Sequence, residues 1–177
     1  MSDVSEFQDE YSESAEPEFR KLQDALLGDT LKLLAPSEPI KLPPQATVDE
    51  AVAKMVDNRR AAVVIVDAAG RLAGIFTERD VLARVVRMRR DPAQTRLADV
   101  MTPNPEALAP DDRICHAVNR MHVAGHRSVP LVDANHHPTG IVTVNDVVKW
   151  LAEIFPEAVL NLRPGDKLKR PLQMDAG

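Results

Sequence analysis

The sequence predicts an α/β fold built from two tandem repeats, each a leading strand followed by helix, strand, strand and helix, packed on one another about a pseudo-two-fold axis. The first observation behind this is internal. Laid on itself at an offset of 66 residues, the chain aligns Val48–Leu82 with Ile114–Val148 without a gap, and 12 of those 35 positions are identical. The second is periodicity: both copies alternate helical stripes, with apolar residues three and four apart, with short β-branched runs. The third is size, because a unit of about 60 residues cannot cover both faces of its own small sheet and needs the other copy as a second layer.

The elements follow in order. Residues 1–18 carry seven acids and no Lys or Arg, a composition expected to stay disordered. Phe19, Leu22, Leu26, Thr30 and Leu33 recur at helical spacing, which predicts an amphipathic helix over 19–34 docked on the repeats or on a second subunit. Pro36, Pro39, Pro43 and Pro44 punctuate the approach to repeat 1 (35–97), whose leading strand is Lys32–Leu34 or Ile40–Leu42. Thr47 and Glu50 form a capping box for a helix with stripe Val48, Ala51, Val52 and Met55. Strands Val63–Val66 and Leu72–Phe76 flank a turn at Ala69-Gly70, and a second helix starts at Thr77 with Val81, Leu82 and Val85 toward the sheet.

Repeat 2 (98–156) reads the same way after a connector with Pro92, Pro103, Pro105 and Pro110. Val100–Pro103 is its expected leading strand, and Asp111 or Asp112 opens a helix with stripe Ile114, Ala117, Val118 and Met121. Strands Val129–Val132 and Thr139–Val142 flank a turn at Asn135-His136. The last helix starts at Thr143, with Val147, Val148, Leu151 and Phe155 inward. Residues 157–177 read as an extended tail.

Composition narrows the function classes. No apolar run nears the roughly 20 residues that cross a bilayer, and the acidic start lacks a signal peptide's features, so a cytoplasmic protein without a membrane partner is expected. The single cysteine, Cys115, excludes an internal disulfide and is expected to be packed. Of 27 acids, removing the seven at the start leaves 20 against 22 bases, too balanced for a nucleic-acid surface, and 3% aromatics supply no stacking platform. Arg84, Arg87, Arg89 and Arg90 read as a solvated, dipole-compensating helix end. The five histidines complete no metal-ligand spacing, and neither a nucleophile elbow nor a Gly-rich phosphate loop with Lys is present, so neither metal, cofactor nor enzymatic activity is expected.

Two constellations carry chemistry. In both copies a Gly-Ile strand end runs into Thr-x-x-Asp, as Thr77 with Asp80 and Thr143 with Asp146. A Thr cap with an acid three positions on is a helix-capping pattern in its own right. A pure cap accepts Glu or Gln as readily, and a short carboxylate in both copies also suits the cis-diol of a ribose, beside free helix N–H groups that suit a phosphate. About 20 residues upstream, Asn58-Arg59-Arg60-Ala61 and Gly125-His126-Arg127-Ser128 read as matching cationic turns at the junction of first helix and first strand. As a helix C-terminus such a turn compensates the dipole; placed alongside the Thr-x-x-Asp helix start, it would offer guanidinium groups to phosphate oxygens.

Over roughly residues 31–156 these motifs resemble the CBS-domain family in its paired form, the Bateman module, which occurs in inosine-monophosphate dehydrogenases, ion transporters and the gamma subunit of AMP-activated protein kinase. The resemblance implies a stand-alone, non-enzymatic regulatory module for AMP, ADP, ATP or a related adenosine compound. It implies ribose contacts from Thr77, Asp80, Thr143 and Asp146, adenine framed by main chain at Ala62-Val63 and Ser128-Val129, and phosphate contacts from Arg59, Arg60, His126 and Arg127. Gly125–Pro130 resembles the kinase subunit's His-Arg-x-Pro phosphate-binding stretch with one extra residue, and the first copy departs from it. Homodimerisation into a disc is also implied, with a protein effector reading the ligand's presence. Two other readings stay open: a structural interaction module whose motifs only cap helices, and a nucleic-acid binder using the Arg84–Arg90 helix end.

Overall fold

The structure is a computed structural model that describes residues 20–155; the expected acidic segment 1–18 and tail 157–177 lie outside the described residues. Its elements are α1 (20–28), β1 (Lys41–Leu42), α2 (Val48–Asp57), β2 (Ala62–Val66), β3 (Leu72–Thr77), α3 (78–86), β4 (Thr102–Pro103), α4 (Ile114–Ala124), β5 (Ser128–Val132), β6 (Pro138–Thr143) and α5 (Val144–Ile154).

The first copy's sheet runs β1-β2-β3-β4, with β1 parallel to β2 and the other pairs antiparallel. The second copy pairs β5 with β6 and completes its sheet by single bridges, Leu108 to Leu131 in parallel and Ser37 to Ile141 antiparallel. The first bridge repeats, 66 residues on, the Leu42–Ile65 pairing of β1 with β2, and the second is the counterpart, one residue out of register, of the β3-β4 contact. The leading segments are therefore exchanged. Thr102-Pro103, expected as the leading strand of repeat 2, is the edge strand of the first sheet, and Ser37 is the edge of the second.

Packing follows the same exchange. Leu97 and Val100 lie in the first helix-facing core with Val48, Ala51, Val63 and Phe76, whereas Leu31 and Leu34 lie in the second with Ile114, Ala117, Val129 and Trp150. On the opposite face of β2, Ala62 and Val64 join Leu72, Ile75 and Ile141 in a third core between the copies. Burial on both faces explains why β2 reads as an unbroken apolar run. Close approach of the exchanged segments requires glycine: a Cβ on Gly140 would sit 3.1 Å from Cβ of Pro36, and one on Gly74 would meet Met101 and, at 3.2 Å, the carbonyl of Thr102.

Four expectations need correction. The helix expected over 19–34 stops at 28, since Thr30 is extended and bridges Arg113, and Leu31–Leu34 form a 3₁₀ turn whose first N–H groups bond Asp112 and Pro110. Neither Asp111 nor Asp112 caps α4. Arg113 stands at the cap, 66 residues after Thr47, its guanidinium on the carbonyl of Gly28, while the Asp112 carboxylate closes a turn onto the N–H of Ala109 at 2.8 Å. Leu82 and Val148 do not face the sheet: they are 66% and 55% exposed on the outer side of α3 and α5. Cys115 is half-buried rather than fully packed. The Thr47–Glu50 capping box is present, with N–H to oxygen distances of 3.1 and 3.2 Å in the two directions.

The hairpin turns meet near the pseudo-two-fold axis. Asp67 accepts the N–H groups of Ala69 and Arg71, both at 2.9 Å, and Asp133 those of Asn135 and His137 at 2.9 and 2.8 Å. The main-chain donors of Arg71 and His137, foremost among these bonds, hold the two carboxyls below the usual carboxylate range. Across the axis the Leu72 N–H bonds the His136 carbonyl at 2.9 Å, and the His137 ring lies 3.2 Å from the Ala69 carbonyl and 3.3 Å from Asp133 Oδ2.

Candidate functional site

Each Thr-x-x-Asp motif stands where a strand turns into a helix. Thr77 ends β3 and caps α3, Thr143 ends β6 and caps α5, and both are extended. In that conformation the threonine N–H and hydroxyl both reach the aspartate three positions on. Asp80 Oδ2 accepts them at 2.9 and 2.7 Å, and Asp146 Oδ2 accepts both at 2.7 Å. One oxygen of each carboxylate is thus committed to the cap, and the threonine hydroxyl orients the acid.

The second oxygens differ. Asp80, 9% exposed, directs Oδ1 to Nε of Arg84 at 3.3 Å, and Nη1 of that arginine donates to the Val100 carbonyl at 2.8 Å. After its first turn α3 widens to π-helical winding over Val81–Val86, whereas α5 is regular throughout. The residue equivalent to Arg84 is Trp150, buried in the second core with its indole N–H donating to Asp29 Oδ2 at 3.2 Å. Half-buried Asp146 therefore keeps Oδ1 without a hydrogen-bond or ion-pair partner among the described residues.

Register brings the cationic turns alongside. Ala62 pairs with Thr77 and Ser128 with Thr143, and the first helix N–H groups bond back, Glu78 to the Ala61 carbonyl and Val144 to the Arg127 carbonyl, both at 3.1 Å. The turns do not match as read from the sequence. With Ala62 equivalent to Ser128, they are offset by one residue: Arg60 corresponds to His126, Arg59 to the left-handed Gly125, and Arg127 to Ala61. Arg59 itself is left-handed, at φ 53°. The side chains of Arg59, Arg60, His126 and Arg127 are exposed and form no hydrogen bond or ion pair among the described residues.

Ala62, Val63 and Val129 turn their side chains into cores, so these positions have only main chain to offer; Ser128 is half-buried. On the outer side of the first copy a cavity of about 600 Å³ opens between α2 and α3, lined by Val52, Met55, Val56, Val81 and Leu82 with Arg59, Arg60, Ala61 and Glu78. The first cationic turn therefore also borders an apolar helical groove. Sequence reasoning missed Arg84 as a site residue. Its signal was the four-residue spacing from Asp80, which places two side chains on one helix face.

Among the described residues, no helix is long and apolar enough to cross a membrane, and no group of three metal-ligating side chains occurs. Residues 33–87 and 97–153 match the CBS domain family. Similar curated proteins include two of Arabidopsis thaliana. CBS domain-containing protein CBSCBSPB1 is 33% identical over 70% of this chain and 23% of its own length; CBSCBSPB3 is 26% identical over 89% and 30%. The chain thus spans less than a third of these plant relatives. Among solved structures, the CBS-domain containing protein ATU1752 from Agrobacterium tumefaciens is 27% identical, with a TM-score of 0.63 over 70% of this chain and 99% of that one. The CBS domain pair of protein MJ0100, solved in complex with 5′-methylthioadenosine and S-adenosyl-L-methionine, is 25% identical with a TM-score of 0.63 over the same shares. With both repeats matched and their strand registers equivalent, the chain belongs to the CBS domain family.

Proposed function

We propose that this CBS pair is a regulatory module, not an enzyme, that binds AMP, ADP, ATP or a related adenosine compound. The observation that carries this reading is the doubled arrangement at the strand–helix junctions, where a carboxylate fixed by threonine lies beside an exposed cationic turn. A carboxylate oxygen accepts from ribose hydroxyls, and arginine or helix N–H groups donate to phosphate oxygens. The complex of the MJ0100 pair with two adenosine compounds supports the ligand class.

The test is a thermal-shift series with AMP, ADP, ATP and S-adenosylmethionine on wild type and on Asp80→Ala/Asp146→Ala. A ligand at about 100 times its Kd stabilises the folded state by about 2.7 kcal/mol, so the melting temperature of the wild type rises by several degrees. In the double variant the rise is lost. An equal rise in both proteins contradicts the seat.

The module acts as a homodimer in this reading. Val56, Leu82, Val86 and Met88 in the first copy and Val123, Val144 and Val148 in the second are exposed apolar side chains on the helices of both copies and the turn after α3. A second copy covers it, and ligand in the clefts shifts that contact for a protein effector to read. A single cysteine fits work in the reducing cytoplasm.

A further inference from the structure

Given that reading, we propose that the two clefts are unequal by construction: Asp146 provides the working nucleoside seat, and Arg84 keeps the Asp80 cleft closed. Three equivalent positions favour the second cleft, while Arg59, Arg60 and Arg79 leave cations around the first, so the state of the carboxylate oxygen decides. First, the Oδ1 atom that a ribose hydroxyl needs is bound by Arg84 in the first copy and is without a partner in the second, where Trp150 replaces the arginine and turns to Asp29. A diol entering the first cleft must displace a guanidinium that is itself anchored on the Val100 carbonyl.

Second, the residue whose carbonyl receives the first helix N–H is Ala61 in one copy and Arg127 in the other, so at that position only the second copy carries a cation. Third, the donor of that N–H is Glu78 in the first copy and Val144 in the second. An acid at the first residue of α3 repels phosphate there, and the start of α5 lacks that charge. A carboxylate with a spare acceptor, an adjacent arginine and no opposing acid together describe one competent nucleotide site rather than two.

Calorimetry of AMP binding to the full chain separates the cases, with wild type, Asp80→Asn, Asp146→Asn, Arg84→Gln and Arg127→Ala, each checked for a cooperative melt. The expected wild-type result is one tight site per chain. Asp146→Asn weakens it by about tenfold or more, Asp80→Asn changes it by less than about twofold, and Arg84→Gln strengthens a second, weaker site by about fivefold. Arg127→Ala lowers affinity for AMP and spares adenosine. Two equal sites in the wild type, loss of the tight site in Asp80→Asn, or weaker binding in Arg84→Gln overturns the inequality while leaving the nucleotide reading intact. Binding of neither AMP nor S-adenosylmethionine to wild type and to Arg84→Gln defeats that reading, and this proposal with it.

Discussion

At the scale of single residues, aspartates do two kinds of work. Asp67 and Asp133 each close a hairpin turn with main-chain bonds that hold their carboxyls below the ordinary value. A carboxyl with a depressed folded-state pKa contributes stability above the unfolded value, near 3.8, and that contribution is lost as pH falls through the lower folded value. Urea midpoints are therefore expected to drop below about pH 4, and the Asp67→Asn/Asp133→Asn variant to start lower at neutral pH and drop less. Thr143 separates capping from ligand binding. Thr143→Val keeps the main-chain bond to Asp146 but removes the hydroxyl that orients it, so a stability loss of about 0.5–2 kcal/mol should accompany a several-fold weaker AMP affinity. The Thr-x-x-Asp residues were legible because their spacing is local. The commitment of Asp80 Oδ1 was not, because a four-residue spacing permits an ion pair without saying whether the side chain spends its charge there or in solvent.

At the scale of elements, the exchange of leading segments is what the sequence concealed. The segments holding β4 and Ser37 make only one or two pairings each, too short for a two-residue period to show, and proline spacing suggested simple linkers. The offset of 66 nonetheless pairs Leu31 with Leu97 and Leu34 with Val100, and the first of each pair sits in the second core, the other in the first. Leu31→Ala and Leu97→Ala, at positions with no exposure, should each cost about 2–5 kcal/mol in chemical denaturation. A double-mutant cycle reads out the exchange: Leu31→Ala should couple with Leu131→Ala, which shares its core, and add independently to Ile65→Val, which does not. The cationic turns show a related failure. Neighbouring basic residues look equivalent by eye, but the 66-residue offset already sets Arg127 against Ala61, and strand register bears it out.

At the scale of the whole molecule, the proposed dimer rests on the outer faces of α3 and α5. Sequence periodicity assigned Leu82 and Val148 to the interior because each directly follows a residue of its helix's apolar stripe, Val81 or Val147, and the sequence does not mark where that stripe ends. Both side chains point outward, and Leu82 lines the cavity between α2 and α3. Light scattering should find the wild type dimeric and Leu82→Glu/Val148→Glu monomeric at micromolar concentration with the fold retained; a monomeric wild type removes the proposed interface. Whether a threonine-fixed aspartate seats a ribose is read from a crystal structure of the chain grown with AMP. Ribose hydroxyls are expected on the free oxygen of Asp146, with the phosphate toward Arg127 and the start of α5. Density for AMP away from both Asp146 and Asp80, or none at either strand–helix junction at saturating AMP, contradicts the seat.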